Sequence, residues 1–197
     1  MKVIFFAMLL CFGLNSTNAD PKLPSKIKVV IDTGLQENGL SQGLTSDLEQ
    51  QVVRDISQQL KALCVDKNIE IILFTTDNEF GSNRIQQIEA LSPDLVISLN
   101  ASYSTQKDRN CVDVYVAHND FTEKSSYFGT KILESFKQKD FKTTSLQSTN
   151  YDLLRDLNCP AISIELGLLN VAEDMLYLNS EFGKKFLAKQ IVSSLNP

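Results

Sequence analysis

The chain has 197 residues, of which 43% are apolar and 22% charged, with four cysteines, no tryptophan and a single histidine. This composition is typical of a folded protein with a hydrophobic core, and the length fits one domain. The formal charge of −5 disfavours a nucleic-acid binder that works by neutralising phosphates. The lone histidine, His118, excludes any site with two or three histidine ligands and any histidine relay that does not use His118 itself.

The first 19 residues have the layout of a secretory signal. Lys2 gives a positive start, an apolar run extends from Val3 to Leu14, and a short polar stretch ends at Ala19. Because the apolar run is too short to span a bilayer comfortably, we interpret it as a signal peptide that is cleaved after Ala19. Cys11 follows a bulky leucine where a lipoprotein signal needs a small residue, which disfavours lipidation.

The chain after this signal is predicted to form one domain. Residues 20–26 form a short lead, and residues 27–197 contain no repeat, low-complexity tract or Pro/Ser-rich linker. No second apolar run approaches bilayer length, so we expect an exported protein without a stable membrane span after cleavage. The periplasm is the expected destination, with full secretion as the alternative.

Strand and helix patterns alternate along residues 27–197. Short, β-branched or continuously apolar runs predict strands at 27–32, 69–74, 95–100, 112–116 and 161–166. Apolar residues at helical spacing predict helices at 46–63, 84–91, 123–137 and 182–195, whereas residues 138–158 show a mixed pattern. Strands that are apolar throughout need cover on both faces. The predicted fold is therefore α/β: a single domain with a largely parallel twisted sheet of five or six strands and helices on both faces.

Two details of the pattern have ordinary structural explanations. Ser46 and Glu49 form a capping box that would open the first helix, and this role alone accounts for a glutamate at that position.

Cys64, Cys111 and Cys159 remain after signal cleavage. One disulfide with one free thiol is compatible with an oxidising compartment, but the sequence does not assign the pairing, and Cys64 fits a buried position in a helix.

Three predicted strands end in polar side chains, namely Asp32, Asn100 and Glu165. In open α/β sheets the ligand crevice lies beyond the carboxyl ends of the strands. A carboxylate that closes an apolar strand tends to have a raised pKa, which suits general acid/base chemistry and makes Glu165 the leading candidate. The alternative is a structural role in which Glu165 caps a turn or pairs with a cation such as Arg155. His118 is most simply a polar residue at a strand end.

The order of these elements and their terminal residues resembles the zinc-dependent N-acetylmuramoyl-L-alanine amidases of the type 3 catalytic domain. The resemblance covers residues 27–196 and is most specific near the carboxyl terminus, where the family has a Leu-Arg pair followed by Pro-Ala-Val-Leu-Val-Glu-Xaa-Gly-Phe. The matching residues are Leu153-Leu154-Arg155 and Cys159-Pro160-Ala161-Ile162-Ser163-Ile164-Glu165-Leu166-Gly167.

Four further segments carry the same resemblance. The family's Ile-Asp-Pro-Gly-His segment matches Ile31-Asp32-Thr33-Gly34-Leu35, and its Glu-Lys-Asp segment matches Glu49-Gln50-Gln51. The family's Ile-Ser-Ile-His-Ala-Asn segment matches Ile97-Ser98-Leu99-Asn100-Ala101-Ser102. Its Gly-Val-Glu-Val-Tyr segment matches Cys111-Val112-Asp113-Val114-Tyr115. Arg84 also lies where the family has an arginine. The resemblance implies enzymes that cut the bond between N-acetylmuramic acid and the stem peptide of peptidoglycan.

The resemblance further implies a zinc ion held by His, Glu and His, with a catalytic glutamate. The ligand glutamate corresponds to Glu49 and the general base to Glu165, but Leu35 and Asn100 stand at the two histidine positions. Leucine has no donor atom, and a neutral amide oxygen is a poor zinc ligand beside an imidazole. Asp32 and Arg155 are expected to line the cleft.

Three functions are compatible with these residues. The favoured one is a zinc-less pseudoenzyme that binds cell-wall peptide or glycan, or that regulates a cell-wall hydrolase. The second is an active amidase or other peptidoglycan hydrolase, either with an oxygen-rich metal centre suited to Mg²⁺, Ca²⁺ or Mn²⁺ or with a metal-free pair, Glu49 and Glu165. The third is a structural envelope protein that kept the fold and lost the cleft. The oxygen-rich set comprises Asp32, Glu49, Asn100 and Glu165.

Overall fold

The computed structural model describes residues 26–33, 44–65, 67–75, 82–103, 111–139, 142–143 and 145–195. The predicted signal peptide, nearly all of the lead segment, Cys11 and Leu35 lie outside these residues. None of the helices in the described ranges has the length and apolarity needed to cross a membrane.

Seven strands and six helices make up the described part of the chain. The strands are β1 (Ile27–Asp32), β2 (Ile69–Phe74), β3 (Leu95–Ser102), β4 (Cys111–Ala117), β5 (Lys142–Thr143), β6 (Gln147–Thr149) and β7 (Ala161–Leu168). The helices are α1 (Leu44–Leu63), α2 (Ser82–Ala90), α3 (Thr122–Lys137), α4 (Asp152–Asp156), α5 (Ala172–Asn179) and α6 (Glu181–Ser194).

The strands form one mixed sheet in a single α/β domain. Its order is β2-β1-β3-β7-β4-β5, and β6 also pairs with β4. The pairs from β2 to β7 are parallel, whereas β4 runs antiparallel to β7. The prediction of a largely parallel sheet is confirmed, with seven strands instead of five or six. The two additional strands, β5 and β6, have two and three residues, too few to produce a recognisable hydrophobic period.

The long elements follow the predicted pattern, with two differences. Helix α1 begins at Leu44, two residues before its predicted start at residue 46. The side chain of Ser46 is outside the described part of the chain, so the capping box of Ser46 and Glu49 stays a prediction. Phe182, the first residue of the last predicted helix, is 72% exposed in the first turn of α6, and Ser180 alone separates this helix from α5.

Two hydrophobic clusters cover the two faces of the sheet. The larger one joins α1, α3 and α6 to alternate residues of the central strands, such as Val29, Ile97 and Ile164. The smaller one joins Ile88 of α2 and Leu154 of α4 to the opposite sheet face. Strand residues of this second face are apolar near the amino ends, and the polar residues described next replace them toward the carboxyl ends of β1, β3 and β7.

Candidate functional site

Polar side chains form two rows across the α2/α4 face of the sheet. Because side chains two residues apart on a strand share a face, the register between strands fixes both rows. The first row joins neighbouring strands through Asp32, Ser98, Ser163 and Tyr115. The second row joins Asn100, Glu165 and Asp113. The pairing of β3 with β7 therefore places Asn100 next to Glu165, two of the residues singled out in the sequence.

Glu165 is the centre of the second row. Ser102 donates a hydrogen bond from its hydroxyl to Glu165 Oε2. Burial raises the pKa of Glu165 to about 7, against the lowering effect of the Ser102 hydrogen bond, and the nearby carboxylates of Glu49 and Asp113 raise it further. Glu165 is therefore partly protonated near neutral pH, so its carboxyl group can both donate and accept a hydrogen bond.

Asn100 is held by hydroxyl groups of the first row. Its Nδ2 atom donates to Ser163 Oγ at 2.9 Å and to Ser98 Oγ at 3.2 Å, and the side chain is buried. These bonds hold the amide group against the hydroxyls of the first row, on the same face of the sheet. Asn100 thus acts in this structure as a hydrogen-bonded part of the sheet.

Glu49 comes to the same region from α1. It is buried, and its carboxylate lies close enough to Glu165 to raise the pKa of that residue. Burial raises the pKa of Tyr103, and the charge of Glu49 contributes to the same shift. The two glutamates predicted from the sequence therefore lie within electrostatic reach of each other.

A pair of tyrosines flanks the Glu165 side of the site. The rings of Tyr115 and Tyr151 lie 5.9 Å apart between centroids. Burial raises the pKa of Tyr151, and the charge of Glu165 raises it further. The phenol of Tyr151 consequently stays a neutral hydrogen-bonding group at physiological pH.

Asp32 forms a buried ion pair with Arg84 of α2. Arg84 Nη2 contacts both carboxylate oxygens of Asp32, at 2.6 and 2.5 Å, and Nε contacts Oδ1 at 3.2 Å. The side chains of Asp32 and Arg84 are 0% and 7% exposed. This pair connects the end of β1 to α2, so Asp32 already has a strong cationic partner and is a weak candidate for an additional metal ion.

Arg155 and His118 lie apart from these contacts. Arg155 forms ion pairs with Asp152 and Asp156 of its own short helix, at 2.7 and 2.6 Å. His118 is exposed just beyond β4, where its Nε2 lies 3.2 Å from Ser148 Oγ. The Glu165 carboxyl accepts a hydrogen bond from Ser102. The described ion pairs of Arg155 are with Asp152 and Asp156, and none of them joins Arg155 to Glu165.

Several residues of the site were not singled out in the sequence. Asp113 belongs to the site through the register of β4 with β7, which only the strand order reveals. The sequence does contain a signal for the serines. In β3 and β7, polar residues recur every second position within otherwise apolar strands, as in Ser98, Asn100 and Ser102. Such alternation indicates that one face of a central strand is polar.

Comparison with known proteins identifies the family. The sequence model of the type 3 N-acetylmuramoyl-L-alanine amidases matches residues 29–196, and the chain belongs to this family. No curated protein sequence matches the chain significantly. The family is generally zinc-dependent and acts on peptidoglycan.

Solved amidase structures share the fold. An N-acetylmuramoyl-L-alanine amidase from Clostridium difficile 630 superposes with a TM-score of 0.73 at 22% identity, covering 87% of this chain and 96% of that one. The catalytic domain of CwlV from Bacillus (Paenibacillus) polymyxa gives 0.70 at 19% identity, covering 86% and 96%. The amidase CwlD from Clostridioides difficile, in complex with the GerS lipoprotein, gives 0.72 at 16% identity, with the same coverage.

The donor groups of this chain do not fit the zinc ion of the family. Asn100, which the resemblance puts at one histidine position, offers a neutral amide oxygen in place of an imidazole nitrogen, because its Nδ2 atom carries hydrogens and donates to two serine hydroxyls. Leu35, which the resemblance puts at the other, has no donor atom in its side chain. Among the described residues, no group of three His, Cys, Asp or Glu side chains is arranged to hold a metal ion.

Proposed function

We propose that this protein is an exported, zinc-less member of the amidase family. In this proposal it binds peptidoglycan stem peptide or glycan in the family's cleft without cutting it. Such a protein would hold cell-wall material or regulate a hydrolase that acts on it. Residues 1–19 would be removed on export, with the periplasm as the expected destination.

The observation that carries the proposal is the hydrogen bonding of Asn100. The atom of asparagine that can coordinate a metal ion is its neutral amide oxygen, which is a poor zinc ligand beside an imidazole. The amide nitrogen of Asn100 donates to Ser98 and Ser163 and attaches the side chain to the neighbouring strands. A side chain of this kind at the position that the resemblance assigns to a histidine supports a binding role over hydrolysis.

The remaining groups suit the recognition of a peptide. With a pKa of about 7, the Glu165 carboxyl can donate to a carbonyl or accept from an amide N–H. The neutral phenols of Tyr103 and Tyr151 add two further hydrogen-bonding groups near the glutamates. Amide-rich ligands such as the stem peptide present both donors and acceptors, so a cleft of this kind can bind them without a metal ion.

Regulation of a partner is the second arm of the proposal. The amidase CwlD, which shares this fold, is found in complex with the GerS lipoprotein. This complex of an amidase with a lipoprotein supports the proposal that this chain acts through a protein partner. Any partner would be a cell-wall hydrolase or a protein that binds one.

Binding can be tested with N-acetylmuramoyl-L-alanyl-D-isoglutamine, a soluble fragment that contains the family's target bond. We expect saturable binding, measured by calorimetry, which Glu165→Ala weakens about tenfold through loss of a partly buried hydrogen-bonding group. Glu134→Ala, which removes an exposed carboxylate of α3, is the matched control and should bind like the wild type. No binding by the wild-type protein, or equal binding by both variants, would contradict the cleft as the binding site.

A further inference from the structure

Strand β7 is irregular directly after Glu165. Glu165 pairs with Asn100 of β3, but the next described pair joins Leu168 to Ser102, so two residues of β7 oppose one residue of β3. This arrangement is a β-bulge, which disrupts strand pairing locally and often lies next to a functional site, where it orients a side chain. The bulge contains Gly167, whose φ of +144° favours glycine. Other contacts must hold this unusual backbone in place.

The side chain of Asp174, in the first turn of α5, supplies such a contact. Its Oδ2 atom accepts a hydrogen bond from the Leu168 N–H at 2.9 Å. The same oxygen lies against Gly167, where a Cβ atom would come within 3.3 Å of it. A carboxylate from the following helix therefore binds the backbone at the end of the bulge.

The helix dipole alone does not explain the position of Asp174. An acidic residue in the first turn of a helix stabilises it by interacting with the dipole, and the exposed Glu173 lies in the same turn. Asp174 is only 3% exposed, and burial raises its pKa against the lowering effect of the Leu168 N–H. Its Oδ1 atom is buried without a hydrogen-bond partner among the described residues. Because burial of a carboxylate is unfavourable, this position indicates a more specific role.

Two hydrogen bonds connect the bulge to the Glu165 carboxyl. The N–H of Leu169, just beyond the bulge, donates to Ser102 O at 2.8 Å. The hydroxyl of the same serine donates to Glu165 Oε2. The place of the Ser102 hydroxyl therefore depends on the backbone that Asp174 binds, and the contacts form one chain from Asp174 to Glu165.

We propose that Asp174 is a positioning residue for the Glu165 carboxyl. By accepting the Leu168 N–H it fixes the bulge, and the bulge sets the hydrogen bond that Ser102 donates to Glu165. Asp174 touches no ligand in this proposal and acts only through the strand. The inference rests on the proposed function in one respect, which is that Glu165 binds a ligand.

The surroundings of Glu165 can be followed without a ligand. In ¹³C-labelled mature protein at one fixed pH, the NMR signal of its carboxyl carbon responds to its hydrogen bonding. We expect Asp174→Ala to shift this signal. It should also speed hydrogen exchange of the Leu168 N–H about tenfold relative to the core Ile97 N–H, because one hydrogen bond is lost. Asp174→Asn keeps a side-chain oxygen for this N–H and should resemble the wild type.

Two further variants make the test specific. Glu173→Ala is the matched control, because it removes an acidic residue from the same turn of α5, and it should leave the Glu165 signal unchanged. Gly167→Ala serves if Asp174→Ala does not fold. Its Cβ atom would press on the Asp174 carboxylate at a φ that favours glycine, so this variant should also shift the Glu165 signal.

Binding of the muramoyl dipeptide N-acetylmuramoyl-L-alanyl-D-isoglutamine extends the test to function. Asp174→Ala should weaken binding, by less than the roughly tenfold loss expected for Glu165→Ala. In the Glu165→Ala background it should have no further effect, since a residue that acts through a carboxyl loses its influence when that carboxyl is absent. Equal losses in both backgrounds would overturn the proposal.

The ligand-free outcomes decide the proposal by themselves. An unchanged Glu165 signal in Asp174→Ala would overturn it, because Asp174 would then only anchor α5. A shift of the same size in Glu173→Ala would overturn it in favour of a helix-dipole effect. Loss of the wild-type signal in Asp174→Asn would overturn the role of the side-chain oxygen. If the wild type does not bind the dipeptide, the proposed function fails, while the carboxyl signal still tests the role of Asp174.

Discussion

Replacing Asp32 with alanine is expected to lower the free energy of unfolding by about 3–5 kcal/mol. The change leaves the buried Arg84 guanidinium without the Asp32 carboxylate, and the Arg84 side chain is only 7% exposed. Because water cannot easily solvate the charge at this position, the desolvation cost is no longer offset. Urea denaturation monitored by circular dichroism measures the difference.

Two further variants make this prediction specific. The paired change Asp32→Leu with Arg84→Met removes both charges and should recover most of the lost stability. Arg155→Ala breaks the exposed pairs with Asp152 and Asp156 and should cost much less stability than Asp32→Ala, because solvent screens exposed ion pairs. A loss of less than about 1 kcal/mol in Asp32→Ala would show that the pair does not stabilise the junction between β1 and α2.

Glu165→Gln is expected to make the protein more stable above neutral pH. The pKa of Glu165 is raised in the folded state to about 7, from 4.5. Below pH 4.5 both states hold the proton, so the residue has no effect on the pH dependence. Between these values the unfolded chain releases the proton and the folded protein keeps it, so the free energy of unfolding falls as pH rises. Above pH 7 the loss is complete, at about 3 kcal/mol.

The difference between wild type and Glu165→Gln isolates this effect from other titrating groups. Denaturation at intervals from pH 4.5 to 8.5 should show the variant gaining stability relative to the wild type as pH rises. Asp113→Asn should give a smaller change of the same sign, because it removes one of the charges that raise the pKa of Glu165. A difference that stays constant with pH would contradict the burial of Glu165 in its neutral form.

The sequence predicts most of the sheet because its central strands are buried on both faces. Strands such as Leu95–Ser102 and Ala161–Leu168 are mostly apolar and buried along nearly their whole length, a pattern typical of the interior strands of a parallel sheet. The antiparallel direction of β4 is not predictable in this way, since a strand has the same hydrophobic pattern in either direction. Phe182 shares the helical spacing of the apolar residues of α6, so local periodicity does not predict its 72% exposure.

The site is only partly predictable for a related reason. Glu165 and Asn100 stand out because polar residues interrupt or end apolar strands. Asp113 gains its importance from its position opposite Glu165 on a neighbouring strand, which depends on a strand order unrelated to the order along the chain. The partnership of Asp32 with Arg84 joins residues 52 positions apart. Contacts of this kind follow from topology, so a sequence pattern can indicate the residues but not their partners.

The central claim is that the cleft binds cell-wall material without zinc, and metal content measured together with hydrolysis of purified sacculi tests it most directly. Both are measured on one sample of mature protein prepared without chelators, and Leu35→His with Asn100→His, which restores both imidazoles, serves as the comparison. We expect far less than one zinc ion per wild-type molecule, no release of peptide from sacculi, and increased zinc content in the double variant. A full equivalent of metal in the wild type, with peptide release that Glu165→Ala abolishes, would contradict the claim.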